Sequence, residues 1–197
     1  MPTTTHLAKF TYDDYLLFPN DGKRYELIEG DRFVTPAPGT KHQRISSNLH
    51  GFLFETIQKT QNGMLFSAPT DVVLSEIDIV QPDLLFVSRA RTSIITEKNI
   101  QGAPDLVVEI LSESTRRTDE IIKRKLYAHH GVYEYWIIDP EVETIKIYRT
   151  TGQGFQQPIE LTVEAHDRLT SPLFPKWELP LQDLFQSFSR TPEYHVL

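Results

Sequence analysis

From His42 to Lys59 the apolar residues Ile45, Leu49, Phe52, Leu53 and Ile57 recur at three- and four-residue spacing. That is the period of a helix with one buried face, and Asn62-Gly63 follows as a stop, so the spacing predicts a helix lying across a sheet. Elsewhere the period shortens to two or disappears into apolar runs. "KRYELIEGDRFVTP" reads as two strands joined at Glu29-Gly30-Asp31, a hairpin whose glycine permits positive φ. "MLFSAP", "DVVLSEIDIV" and "PDLLFV" are short β-like runs, and "PDLVVEILS" is the best candidate for a central strand. "YEYWIID" is a further buried strand broken by Pro140, and "ETIKIY" alternates as a strand returning on the sheet edge.

Three more segments read as helix. Thr11 caps a short one over "YDDYLLF" that Pro19 stops, and Thr115 to His130 is a charged helix with Gly131 at its C-terminal end. Past Thr150 the signals weaken to a strand at Ile159 to Val163 and a short helix at Leu181 to Phe188, with frayed residues after it. Hairpin, helix, strand cluster, helix and strands in that order predict an α/β (α+β) architecture, a mixed central sheet flanked by helices. Neither G-x-G-x-x-G nor G-x-x-x-x-G-K-[ST] occurs, which excludes the Rossmann and P-loop phosphate cradles. With no repeat and no linker, residues 1–197 are expected to form a single domain.

Composition narrows the chemistry. The chain has no cysteine, so any metal must sit on oxygen or imidazole, and a reducing cytoplasm is the expected compartment. No stretch approaches the run of about 20 apolar residues that spans a membrane. The net charge of -7 is the wrong sign for a protein that holds nucleic acid mainly by counterion release. Nucleic acid binding would need a local basic surface or a metal. Arg116, Arg117, Lys123, Arg124 and Lys125 form the one basic cluster available for such a path.

The carboxylates are the anomaly. "VQPDLLFV" and "APDLVVEILS" share Pro-Asp-Leu, and the second carries Glu109 inside an apolar run. Strand alternation puts Asp105, Val107, Glu109 and Leu111 on one face. An unpaired ionised carboxylate there would cost several kcal/mol, so Glu109 requires a cation, an ion-pair partner or a proton. Asp105 follows a Gly-Ala-Pro turn and has a structural reason to open its strand. Asp83 lacks that reason, and two carboxylates on neighbouring strands suit Mg²⁺ or Mn²⁺.

In order, "VQPDLLFV", "PDLVVEILS", "STRRTDEIIKRKLY" and "GVYEYWIIDP" resemble the Uma-type restriction endonuclease group of the PD-(D/E)xK nuclease superfamily. "RYELIEGD" and His42 at the head of the long helix resemble that group's opening elements, and the likeness spans roughly Tyr25 to Tyr148. The resemblance implies a restriction-endonuclease-like fold with a metal site on its strand ends. It makes Asp83 the aspartate of the PD motif and Glu109 the acid of the E-x-K half-motif. The usual lysine position is Leu111 in this chain. The Uma-type pattern moves that lysine onto the next helix, four residues before a tyrosine, which is Lys123 ahead of Tyr127.

Helical periodicity alone leaves Lys123 and Lys125 open, since they fall on opposite edges of the Ile122/Leu126 stripe, about 200° apart. The choice of Lys123 rests on the resemblance, with Lys125 in reserve.

The activity so implied is Mg²⁺- or Mn²⁺-dependent hydrolysis of DNA phosphodiesters. Asp83, Glu109 and the backbone carbonyl of Ile110 would hold the metal, and Lys123 would orient water or stabilise developing charge. Glu26, His42, Ser112 and Asp119 are accessory candidates; Ser112-Glu113-Ser114 departs from the Ser-Pro-Ser or Ser-Pro-Thr frequent in the group. A cutter of both strands would suit a homodimer. Two rivals remain: a catalytically degenerate nuclease fold that binds nucleic acid or protein, favoured by Leu111, and a two-carboxylate glycosidase, disfavoured by the lack of aromatics around the motifs.

Overall fold

In the computed structural model, which describes residues 9–186, the apolar runs resolve into two larger sheets and a small one. The chain opens with helix α1 (Tyr12–Tyr15) and the hairpin β1 (Arg24–Ile28) and β2 (Asp31–Thr35). Helix α2 (Thr40–Thr60) follows, then β3 (Gly63–Ser67), β4 (Val72–Ser75), β5 (Asp78–Val80) and β6 (Leu84–Ser88). A 3₁₀ turn (Arg89–Ile94) and β7 (Ile100–Gln101) lead into β8 (Leu106–Ile110). A π-helical turn (Thr118–Lys123) runs into α3 (Arg124–His130), then β9 (Glu134–Asp139) and β10 (Thr144–Arg149). The chain ends with β11 (Ile159–Thr162), β12 (Arg168–Thr170), β13 (Glu178–Pro180) and α4 (Leu181–Phe185).

The central sheet has six strands in the order β11-β10-β9-β8-β6-β3. Only β8 and β9 run parallel within it, and the helical segment 118–130 makes the crossover between them. Alternation along these strands feeds two cores. Leu84, Phe86, Leu106, Val108 and Ile110 face the α2 stripe Ile45, Leu49, Leu53 and Ile57. Leu85, Val87, Val107, Leu111 and Ile137 face the other way, onto Leu126 and Tyr127 of α3 and onto the second sheet, β2-β1-β5-β4-β7. Each buried Leu or Ile of the α2 stripe contributes about 1.5–3 kcal/mol, and truncating the fully buried Leu49 to Ala would cost roughly 2–5 kcal/mol by opening a cavity in this core.

Local chemistry explains the ends of these elements. Asp14 accepts the Thr11 N–H at 2.8 Å and the Thr11 hydroxyl at 3.0 Å, which closes the first turn of α1. The β1–β2 turn has φ of 51° at Glu29 and 74° at Gly30, the primed geometry that matches strand twist. A Cβ on Gly30 would also lie 2.6 Å from the Lys9 Cβ, so this position needs glycine for two reasons. Asp78 fixes the same turn from below by accepting the Glu29 N–H at 2.7 Å.

Four expectations need correction. "ETIKIY" is not an edge strand, because β11 pairs with it antiparallel from Ile147↔Ile159 to Thr144↔Thr162. "DVVLSEIDIV" is not one run but a hairpin, turned at Glu76-Ile77, where the Ser75 hydroxyl donates to Asp78 at 2.7 Å. The helix at Thr115 to His130 is π-wound in its first half. The last helix ends at Phe185 rather than Phe188; Phe188 and the frayed tail expected after it lie outside the described residues. Among the described residues no helix is long and apolar enough to cross a membrane.

Candidate active site

Asp83 sits where the two large sheets meet, three residues after β5 and one before β6. The antiparallel ladder between β6 and β8 stops at Leu84↔Val108. Beyond that rung the Asp83 carboxylate takes the place of a strand: its Oδ2 accepts the Ile110 backbone N–H at 2.9 Å and lies 2.9 Å from Nε2 of His42. Arg24 of β1 approaches Oδ1 at 3.4 Å. Burial alone would raise this carboxyl, but His42, the Ile110 N–H and Arg24 together hold it below the usual aspartate value.

Glu109 points from β8 toward the crossover helix, on the same face as Val107 and Leu111. Its Oε1 accepts from Lys123 Nζ at 3.0 Å and from the Tyr127 hydroxyl at 2.9 Å. Lys123 also reaches Glu26 of β1 at 2.8 Å and Asp119, one turn earlier, at 3.5 Å. The π-wound turn therefore carries Asp119 and Lys123 inward while Ile121 is left 46% exposed. Such wide turns recur where a side chain must be aimed at a functional centre.

Three carboxylates share one ammonium here, and the protonation balance follows from that. Burial pushes Glu109 well above the ordinary carboxylate range; Lys123 pulls it back, and the charges of Asp119, Asp83 and Glu26 add to the rise. Asp119 is pushed up to about 6, first by burial, against the pull of Lys123 and a hydrogen bond with Thr115. Burial opposes the charge on Lys123, yet Glu109, Glu26 and Asp119 outweigh it and keep the amine protonated well past its usual value. The lysine keeps its proton, and the carboxyls bear the cost.

All four acids line one cavity of about 70 Å³, beneath the Thr35–Gly39 loop and beside Ser112 and Thr115. That is room for a few waters or an ion. No three of the described His, Asp or Glu side chains converge as an all-protein metal cage. The donor set still fits a hard divalent cation that keeps its waters. Among the described residues, Glu109 Oε2 takes no protein hydrogen bond, Asp83 Oδ1 has the long Arg24 contact alone, and Asp119 Oδ1 is buried with no hydrogen bond, facing the Lys123 ammonium at 3.5 Å. Four acids face the permanent cations Arg24 and Lys123, and a divalent cation would stabilise the ionised form of those that burial pushes toward protonation.

The structure thus gathers Asp83, Glu109, Lys123, Glu26, His42, Asp119 and the backbone of Ile110 around this cavity, with Ser112 on its rim. Lys125 is solvent-exposed and lines a separate depression with His129 and the Gly152–Gly154 turn. Leu111 is buried in the apolar core and supplies nothing to the site. Asp105 is structural: it accepts the Ser88 N–H at 2.7 Å and pairs with Arg91 at 3.2 Å. The basic cluster is dispersed, because Arg116 is bound to both oxygens of Asp139 and Arg124 lies 5.5 Å over the Tyr148 ring. Sequence reasoning missed Arg24 and Gln81, whose N–H fixes Glu26 at 2.7 Å. Arg24's place beside Glu26 on a strand was the one signal available for it.

The mixed central sheet, with α2 on one face and the crossover helix on the other, is a restriction-endonuclease-like architecture. A crystal structure titled as "a putative nuclease belonging to DUF820" from Anabaena variabilis matches with a TM-score of 0.76 at 24% identity, covering 89% of this chain and 97% of that one. The family described as "Uma2: Putative restriction endonuclease" matches residues 12–182, and the chain belongs to that family. No curated protein sequence matches it.

Proposed function

We propose that this protein is a divalent-metal-dependent nuclease that hydrolyses phosphodiester bonds of DNA. The observation that carries the reading is the Lys123 amine, held 3.0 Å from Glu109 in the cavity that Asp83 also lines. Asp83 and Glu109, with the Ile110 carbonyl, would hold Mg²⁺ or Mn²⁺. When bound, the metal supplies Lewis-acid polarisation of a phosphate oxygen and lowers the pKa of water.

The chain's own groups do the rest. Glu26 and Asp119 position the Lys123 ammonium, so that it faces the charge developing on phosphorus-bound oxygen without reorganising. Tyr127 fixes the Glu109 rotamer, leaving Oε2 toward the cavity. His42 and the Ile110 N–H fix Asp83, leaving Oδ1 toward Arg24. Leu111 in the usual lysine slot does not preclude catalysis in this reading, because the amine arrives from the helix. The setting proposed is a cytoplasmic homodimer offering one cavity to each DNA strand.

The test is a Mg²⁺ and Mn²⁺ titration coupled to cleavage of labelled DNA and RNA, duplex and single-stranded. Wild-type protein is expected to cut DNA only with metal, and Asp83→Ala, Glu109→Ala and Lys123→Ala to lose at least about a hundredfold in rate. Absence of cleavage on every form, or cleavage unchanged by Asp83→Ala, would overturn the reading and leave the fold as a binding module.

A further inference from the structure

The catalytic cavity, at about 70 Å³, is too small to hold a nucleotide. It continues past Arg24, Pro38, His42 and Asp83 into an open groove of about 280 Å³, whose far wall is the exposed side of α2. That wall is built by Gln43, Ser46, Ser47 and His50, at i, i+3, i+4 and i+7. They form a single polar stripe, while Ile45, Leu49 and Leu53 anchor the helix on the sheet behind it.

We propose that this groove is the track for the substrate strand: it holds the nucleotide next to the scissile phosphate. The inference rests on the nuclease reading above for its register and on the groove's own chemistry for its ligand. Among the described residues, none of the four stripe side chains has a protein hydrogen-bond partner, so their donors are available. Arg24 adds a cation, and among the described residues Asp83 is the only acid lining the groove, in a chain of net charge -7. One helical turn further, His50 and Phe54 stack with centroids 5.7 Å apart and planes inclined by 13°. Phe54 is 47% exposed, large for a phenylalanine on a helix whose other face is buried. Phosphate oxygens meet the hydroxyls, amide and guanidinium, and an unstacked base lies on the His50–Phe54 pair. The occupant is therefore a nucleic acid strand that is single-stranded locally, since an aromatic platform takes base faces that a duplex keeps covered.

The test separates the track from the chemistry. Binding of a labelled single-stranded DNA oligonucleotide is measured by anisotropy in EDTA, for wild type, Ser47→Glu, Ser47→Lys and Phe54→Ala. Position 47 is exposed and unbonded, and circular dichroism checks that each variant is folded. Ser47→Glu should weaken binding about tenfold by setting a charge against the phosphates, Ser47→Lys should tighten it about threefold, and Phe54→Ala should weaken it by about fivefold or more. In cleavage these changes should appear in KM, with kcat held. Binding within about twofold of wild type for both Ser47 variants would overturn the track. So would a wild-type protein that binds no oligonucleotide. If Glu109→Gln cleaves as wild type does but binding still responds to Ser47→Glu, the catalytic reading falls and the track stands.

Discussion

Glu109 and Glu134 are buried carboxylates on adjacent parallel strands, β8 and β9, and the protein treats them in opposite ways. Around Glu134 both oxygens are answered: Arg149 binds Oε1, while the Trp136 indole N–H at 3.1 Å and the Ser171 hydroxyl at 2.6 Å bind Oε2. It is wholly buried. Around Glu109 the two donors crowd onto one oxygen, the same ammonium serves Glu26 and Asp119, and a cavity borders the other oxygen. A carboxylate that closes a hydrogen-bond network stabilises a fold. One that leaves an oxygen over a cavity, among acids that share too few cations, keeps coordination capacity in reserve.

The sharpest way to break this contrast is to delete each carboxylate. Glu134→Ala should destabilise the protein by about 3 kcal/mol, measured by urea unfolding, because it strands Arg149, Trp136 and Ser171 without their acceptor. Cleavage per folded molecule should be preserved. Glu109→Gln should do the reverse: cleavage falls at least about a hundredfold, while the urea midpoint does not fall, since a neutral amide relieves the crowding of acids.

A smaller effect separates the two regions by pH. Asp119 has its carboxyl raised from 3.8 to about 6, so its favourable contribution is complete below its unfolded value and is lost as pH rises through about 6. In metal-free protein the urea midpoint should therefore drop between about pH 4 and pH 6. Asp119→Asn should flatten that drop. An unchanged profile would remove Asp119 from the crowded cluster. The smallest effect belongs to Lys125→Met, which should change stability by less than about 0.5 kcal/mol and leave cleavage intact, because that side chain is exposed and outside the cavity.

The same contrast explains what the sequence revealed. The α2 stripe was readable because every inward position there except His42 is apolar, and the hairpin because Gly30 marks it. The helix over the site was harder: the buried positions are Asp119, Lys123, Leu126 and Tyr127. Two of the four are charged, so a reader following apolar residues picks Ile122 and Leu126 and cannot rank Lys123 above Lys125. The π-wound turn breaks the 100° step on which that ranking depends. Glu109 stood out because apolar residues flank it on both sides. Glu134 did not, since it opens its strand, and its partners Arg149 and Ser171 come from β10 and the segment after β12. β7 and β12 are too short to carry a period. Gln81 acts through a meeting of the two sheets that no local pattern encodes, and Arg24 is hinted at only by its place two residues before Glu26.

The central claim, that the incompletely bonded acids are a divalent-metal site, is tested most directly by calorimetric titration of Mn²⁺ into the full chain and its carboxylate variants. The account predicts about one Mn²⁺ per chain for wild type and for Glu134→Gln, with binding abolished in Asp83→Asn and Glu109→Gln. Binding that survives both of those changes, or no binding to wild type at all, would contradict it.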